Sequence, residues 1–249
     1  SAAGIALSGK VVCASTFAMF AAGRAFENIR NSIGYTSANV KICATHAGIT
    51  VGEDGASHQT FEDLALMRTI PGMTVINPCD GVSAEKLIRQ AVAFDGPAYI
   101  RLGRASVPVF YSENDEIELG KAKVLKEGKD VTIFATGIMV SEAMDAAKSL
   151  ADDGVDAEVI DIHTIKPLDE KAIIESAKKT GLVVTAEEHS VIGGLGGAVA
   201  ELLSRELPTK MAMVGQQDTF GESGKPDELK EKYGMTAKHI VEAVKKICK

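Results

Sequence analysis

Short runs of small and β-branched apolar residues recur along this chain, and longer stretches with helical spacing separate them. Val11–Ala14, Val40–Ala44, Met73–Ile76 and Ala98–Leu102 read as buried strands, with helices over Phe17–Ile33, Phe61–Met67 and Ser83–Phe94 between them. In the last of these helices Leu87, Ile88, Ala91 and Val92 fall on one face. In the helix over Phe61–Met67, Glu62 and Asp63 sit in the first turn, where the peptide dipoles favour negative charge. The rhythm breaks over 103–118, which hold Pro108 and the acidic run Ser112-Glu113-Asn114-Asp115-Glu116, and then resumes. Strands are expected over Lys123–Leu125, Val131–Ala135, Ala157–Ile162, Leu182–Ala186 and Met211–Val214, the first two joined as a hairpin through Glu127-Gly128-Lys129-Asp130. Helices are expected over Val140–Leu150, Lys171–Lys178, Gly197–Ser204, Asp227–Tyr233 and Ala237–Ile247. A helix between successive strands gives mostly parallel sheets covered on both faces. The expectation is therefore α/β: two doubly wound domains, 1–102 and 119–249, joined by a linker at 103–118. Ligands of such sheets gather beyond the carboxyl ends of strands, which points to the loop after Ala44.

The 249 residues are 45% hydrophobic and 24% charged, enough apolar material for substantial cores. A formal net charge of -7 repels phosphate backbones at long range and argues against nucleic acid as a partner. A small phosphorylated substrate is compatible with it, because a few arginines dominate a pocket locally. The four cysteines, Cys13, Cys43, Cys79 and Cys248, have no Cys-x-x-Cys spacing and read as buried small hydrophobes in a reducing compartment. No apolar run is long enough to span a bilayer, and Ala14–Ala25, broken by Gly23 and Arg24 and without a basic segment before it, does not read as a signal peptide.

The stretch Thr45–Gln59 carries the most chemistry. It sets His46 and His58 beside Glu53 and Asp54 in a loop with Gly48, Gly52 and Gly55. Glycines let the backbone turn sharply and approach a ligand closely. Imidazoles and carboxylates together bind hydroxyls and move protons near neutral pH. The two histidines lie 12 positions apart, without metal-ligand spacing. Capping and loop stabilisation stand beside catalysis as readings of Asp54, Ser57 and His58. The cluster Gly193-Gly194-Leu195-Gly196-Gly197 follows a strand and opens a helix, but it lacks dinucleotide spacing and reads as structural, as do His163, His189 and His239.

Gly52-Glu53-Asp54-Gly55-Ala56-Ser57-His58-Gln59 resembles the G-E-D-G-x-[ST]-H-Q motif of transketolases. Ser15–Phe20 resembles their S-T-F-x-x-F segment, Leu66–Pro71 and Pro78–Asp80 their R-x-x-P and P-x-D segments, and Arg101–Arg104 the strand end that supplies an arginine. Glu187-Glu188-His189 and Thr219–Ser223 resemble the terminal domain, so the likeness runs in order along essentially the whole chain.

The resemblance implies the pyrimidine-binding and terminal domains of a thiamine-diphosphate enzyme that moves a two-carbon ketol unit from a ketose phosphate to an aldose phosphate. It implies that Phe20, with Phe17 beside it, stacks on the cofactor's pyrimidine ring; by spacing alone both read as core residues of a helix. His46 and His58 would bind substrate hydroxyls and help move protons, Asp54 would contact a sugar hydroxyl, and Arg104 would bind the substrate phosphate, whereas Arg101 reads as mostly structural. A divalent metal such as Mg2+ or Ca2+ would be held by a separate diphosphate-binding domain or subunit. A cytoplasmic homodimer of the pentose phosphate pathway, with no membrane or nucleic-acid partner, completes the expectation. The family places a catalytic glutamate shortly before an A-A-G-[IL]-A segment, and these residues start at Ser1-Ala2-Ala3-Gly4-Ile5-Ala6. The polypeptide alone is therefore expected to be inactive and to bind the cofactor poorly. Deoxyxylulose-phosphate synthases and the β subunits of 2-oxo-acid dehydrogenases stay open as related alternatives, and a non-catalytic assembly module as one from another class.

Overall fold

The computed structural model describes residues 1–248. Its strands are β1 (Val12–Phe17), β2 (Val40–Thr45), β3 (Thr74–Ile76), β4 (Ala98–Arg101), β5 (Lys123–Lys126), β6 (Val131–Ala135), β7 (Ala157–Asp161), β8 (Thr164–Lys166), β9 (Leu182–Ser190) and β10 (Lys210–Gln216). The helices are α1 (Ala2–Leu7), α2 (Phe26–Asn28), α3 (Asp63–Arg68), α4 (Gly81–Ala93), α5 (Met139–Asp152), α6 (Glu170–Thr180), α7 (Leu195–Glu206), α8 (Pro226–Lys232) and α9 (Ala237–Ile247). They cover two five-stranded sheets, of order β1-β2-β4-β3-β8 and β10-β9-β6-β7-β5. Pairing is parallel except at two edges, where β8 runs antiparallel to β3 and β5 antiparallel to β7. The α/β class read from the alternation is the class observed. Fully buried strands such as β4, β6 and β7 show why their sequences read as continuous apolar runs.

Three local expectations fail. β5 and β6 form no hairpin: β5 pairs with β7, and the turn between them only redirects the chain. The helix expected over Phe17–Ile33 begins later, since Phe17 is the last residue of β1. The chain then winds through the π-helical turns Met19–Arg24 and Ile29–Gly34 on either side of α2. Periodicity of apolar residues cannot separate a π turn from an α turn, because one extra residue per turn shifts the face only gradually. Cys13 and Cys248 are exposed and Cys43 half-buried, leaving Cys79 as the buried thiol among the described residues.

The two halves are laced together. β8 comes from the second half yet hydrogen-bonds to β3 in the first sheet, with Val75 opposite Lys166 and Ile76 opposite Thr164. Both apolar clusters draw on both halves: Ile76 and Ile100 pack in one with Val131 and Val184, and Leu64 and Tyr99 in the other with Phe134 and Leu195. The connector holds no regular element from 102 to 122 but is docked. Asp80 accepts the backbone N–H groups of Phe110 and Tyr111 at 2.8 and 3.0 Å, and the buried Tyr111 hydroxyl donates to Asp161 at 2.8 Å.

Candidate functional site

Parallel pairing of β1 with β2 sets Phe17 opposite Thr45, so the two strands end together. The next residue after β2, His46, takes φ 57°, a left-handed conformation that costs a non-glycine residue on the order of 1 kcal/mol. That turn lays its ring flat on Phe17, with centroids 4.0 Å apart and planes 9° from parallel. Phe20 stands 6.0 Å from Phe17 in near-parallel orientation. His58 meets both edge-on, at 6.1 Å from Phe17 and 5.4 Å from Phe20. Two phenyl and two imidazole rings thus form one half-buried cluster at the strand ends. Arg24 caps it, its guanidinium 5.1 Å from the Phe20 centroid.

Each imidazole is anchored at Nδ1, His46 to Thr45 Oγ1 and His58 to Ser57 Oγ, both at 3.0 Å. His58 arrives through a loop closed at its base by the Gly48 N–H donating to Thr60 O at 3.1 Å. Between those ends lie two short 3₁₀ turns over Ile49–Asp54, kinked at Gly52. Asp54 is exposed at the end of the second turn, outside the ring cluster. Arg104 is exposed and reaches the same loop, where one nitrogen donates to Val51 O at 3.0 Å and lies 3.2 Å from Glu53 Oε2. The structure therefore brings Phe17, Phe20, His46 and His58 together, with Asp54 on the loop beside them and Arg104 bonded to that loop from the connector. A cavity of about 380 Å³ opens elsewhere between the halves, lined by Phe61, Leu66, Ile192 and Phe220 and by none of these six residues.

Behind the loop is a buried ionic cluster that no local sequence signal reveals. Asp63, read from the sequence as a first-turn acid of a helix, is fully buried. Its Oδ2 accepts from Tyr99 Oη and Arg101 Nε, both at 2.8 Å. Burial alone would raise the Asp63 carboxyl, but the Arg101 charge, His189 and these hydrogen bonds hold it below the usual carboxylate range. Arg101 also donates to Glu188 O at 2.8 Å. His189 donates from Nδ1 to Ser190 O at 2.7 Å and accepts the Ala65 N–H at Nε2, a neutral tautomer. Burial lowers its pKa to about 4, with the Asp63 charge opposing. The helix N-terminus after the glycine cluster is filled from within: Glu187 accepts the Leu195 and Gly196 N–H groups, both at 2.7 Å. A side chain at Gly194 would collide with Glu187 and His189, so the glycines there serve close packing. Among the described residues no group of three or more His, Cys, Asp or Glu side chains is arranged to hold a metal. No helix of the described residues is long and apolar enough to cross a membrane.

Comparison with known proteins places the chain in a family. Residues 1–109 match the pyrimidine binding domain of transketolase, and residues 120–240 the transketolase C-terminal domain. A Clostridium protein named 6-deoxy-6-sulfo-D-fructose transketolase subunit SqwH is 50% identical over 246 residues, 99% of this chain and 76% of that protein. An apulose-4-phosphate transketolase subunit of Phocaeicola vulgatus is 40% identical over 240 residues, 96% of this chain and 76% of its own length. A solved structure described as a split gene transketolase, inactive β4 tetramer, superposes with a TM-score of 0.94 at 55% identity, covering 99% of this chain and 79% of that one. Campylobacter jejuni transketolase, at 22% identity and a TM-score of 0.81, shares the fold over 98% of this chain and 37% of its own. The chain belongs to the thiamine-dependent transketolase family and is the C-terminal portion of such an enzyme, carrying its pyrimidine-binding and C-terminal domains.

Proposed function

We propose that this chain, joined to a diphosphate-binding subunit, transfers a two-carbon ketol unit between sugar phosphates, with thiamine diphosphate and a divalent metal held largely by that partner. The observation that carries this reading is the four-ring cluster at the ends of β1 and β2. Its composition fits the cofactor: flat apolar faces suit a heteroaromatic ring, and imidazole nitrogens stand beside them. Thiamine diphosphate, when bound, supplies the carbanion chemistry.

The chain's own residues do the positioning. Phe20 and Phe17 offer the faces on which a pyrimidine is held and water excluded. With Nδ1 of each imidazole anchored to a hydroxyl, Nε2 of His46 and of His58 is the nitrogen turned to bind a sugar hydroxyl and carry its proton. Asp54 accepts from a further hydroxyl, so a substrate lacking it strands a polar group. Arg104 binds the anionic end of the sugar, exchanging its contact with Glu53 for the ligand. The names of the two relatives, one acting on a sulfo sugar and one on a sugar phosphate, support an anionic tail as the shared feature.

The test is reconstitution with a diphosphate-binding subunit, assayed with a ketose phosphate donor and an aldose phosphate acceptor. His58→Ala is expected to lower kcat by roughly 10²-fold, the usual scale for losing a proton-transfer group, while the complex still assembles. Pyruvate consumption in place of ketose transfer would move the chain to the synthases. Unchanged turnover combined with failed assembly would favour a non-catalytic module.

A further inference from the structure

The loop that carries His58 is shaped from outside. Gly48, Gly52 and Gly55 all have positive φ, at 83°, 79° and 74°. At each, the space a side chain would need is filled from the second half of the chain. Measured from where a Cβ would stand, the Glu188 carboxylate lies behind Gly48, Gly224 and Pro226 lie 3.3 Å behind Gly52, and Ser223 Oγ lies 2.5 Å behind Gly55. The buried Gln59 amide, donating to Ile49 O and Gly52 O at 3.3 Å and to Glu222 O at 3.0 Å, ties the same loop to the segment that holds Ser223, Gly224 and Pro226.

Of these contacts, Glu188 is the one a space-filling role does not explain. Its Oε1 accepts the Thr50 N–H at 2.7 Å, and Oε2 lies 4.0 Å from Arg101 Nη1. The side chain is 2% exposed. Dehydrating a carboxylate is expensive, and an apolar residue would close the space behind Gly48 at lower cost. What an apolar residue would not do is accept the Thr50 N–H. We infer that Glu188 is a positioning residue for the site: through Thr50 and Gly48 it fixes the path along which the loop returns to the ring cluster, and so sets where His46 and His58 meet a substrate. The second half of the chain acts in the chemistry through this contact.

The kinetic arm of the test rests on the proposed function; the structural arm stands apart from it. Amide exchange at Thr50, followed by NMR on the chain itself, is expected to quicken at least tenfold in Glu188→Ala and in Glu188→Asp, whose oxygens are drawn back by one methylene. Glu188→Gln, whose carbonyl accepts the same N–H, should stay within about threefold of wild type. In the reconstituted complex the Asp variant should raise KM for the ketose phosphate at least tenfold, with Gln again near wild type. A fold defect alone would instead reduce the amount of active enzyme and leave KM unchanged. The inference is overturned if Thr50 exchange is the same in all variants, or if Gln behaves like Asp in both arms. Should Glu188→Ala fail to fold, the Asp and Gln pair still decides. If the wild-type complex transfers nothing while exchange follows the expected order, the functional reading fails, the positioning role fails with it, and only the anchoring of the loop by Glu188 stands.

Discussion

Asp161 ends β7 with its side chain fully buried; Oδ2 is held by the Tyr111 hydroxyl, and Oδ1 has no partner among the described residues. Burial pushes its pKa up to about 7, with Tyr111 and Cys79 opposing and Asp80 adding to the rise. Glu187 is likewise pushed up to about 7 by burial, against the N–H groups of Gly196 and Leu195. Between about pH 4 and 7 the folded chain holds protons on these acids that the unfolded chain has released, so their contribution to stability falls as pH rises. His163 and His189, lowered to about 4 by burial, act in the opposite sense: the unfolded chain takes up their protons first, so stability is lost as pH falls through 6.5 towards 4. Asp161→Asn removes one acid and mimics its protonated form. At pH 8 it should stabilise the chain by on the order of 1–3 kcal/mol, an advantage that vanishes by pH 4.5, as read by denaturant unfolding at both values.

At the level of elements, the N-terminus of α4 joins local and distant structure. Asp80 caps the helix by accepting the Ser83 N–H at 2.7 Å, and Ser83 returns the bond to the Asp80 N–H. The other carboxylate oxygen holds the connector at Phe110 and Tyr111. Asp80→Ala loses a cap and takes the acceptor from three backbone N–H groups, those of Ser83, Phe110 and Tyr111. About 2–4 kcal/mol of stability should go, with loosening of the connector visible as faster proteolysis near Tyr111. Asp80 and Ser83 illustrate what the sequence exposes, since capping is local and the pattern around it periodic. The strands and most helices are legible for the same reason, and the histidine loop is legible because its glycines and polar residues are contiguous. The β5–β7 pairing and the three-residue β8 are not legible, because pairing partners are chosen by distant packing and a short strand has no period to read. The Asp63–Arg101–Glu188 cluster is hidden for a related reason, its members coming from three separate segments.

For the whole molecule, the proposed function makes the ring cluster one wall of a site. Small-molecule sites bury most of their ligand, and half-exposed rings at a strand end cannot do that unaided. The chain alone should therefore bind thiamine diphosphate more weakly than about 100 µM by calorimetry, with activity appearing only on mixing with the diphosphate-binding partner. Micromolar binding by the chain alone would overturn that expectation.

Because β8 crosses into the first sheet, the connector is not what keeps the halves together. Lys166 donates to the carbonyls of Arg68 and Ile70 at 2.9 and 2.6 Å, and the Asn77 N–H to His163 O at 2.8 Å, so the seam carries its own bonds. A peptide cleaved between 102 and 122 would leave two fragments still stitched through a common sheet. The histidine loop would then be gripped by a polypeptide to which it is no longer covalently attached.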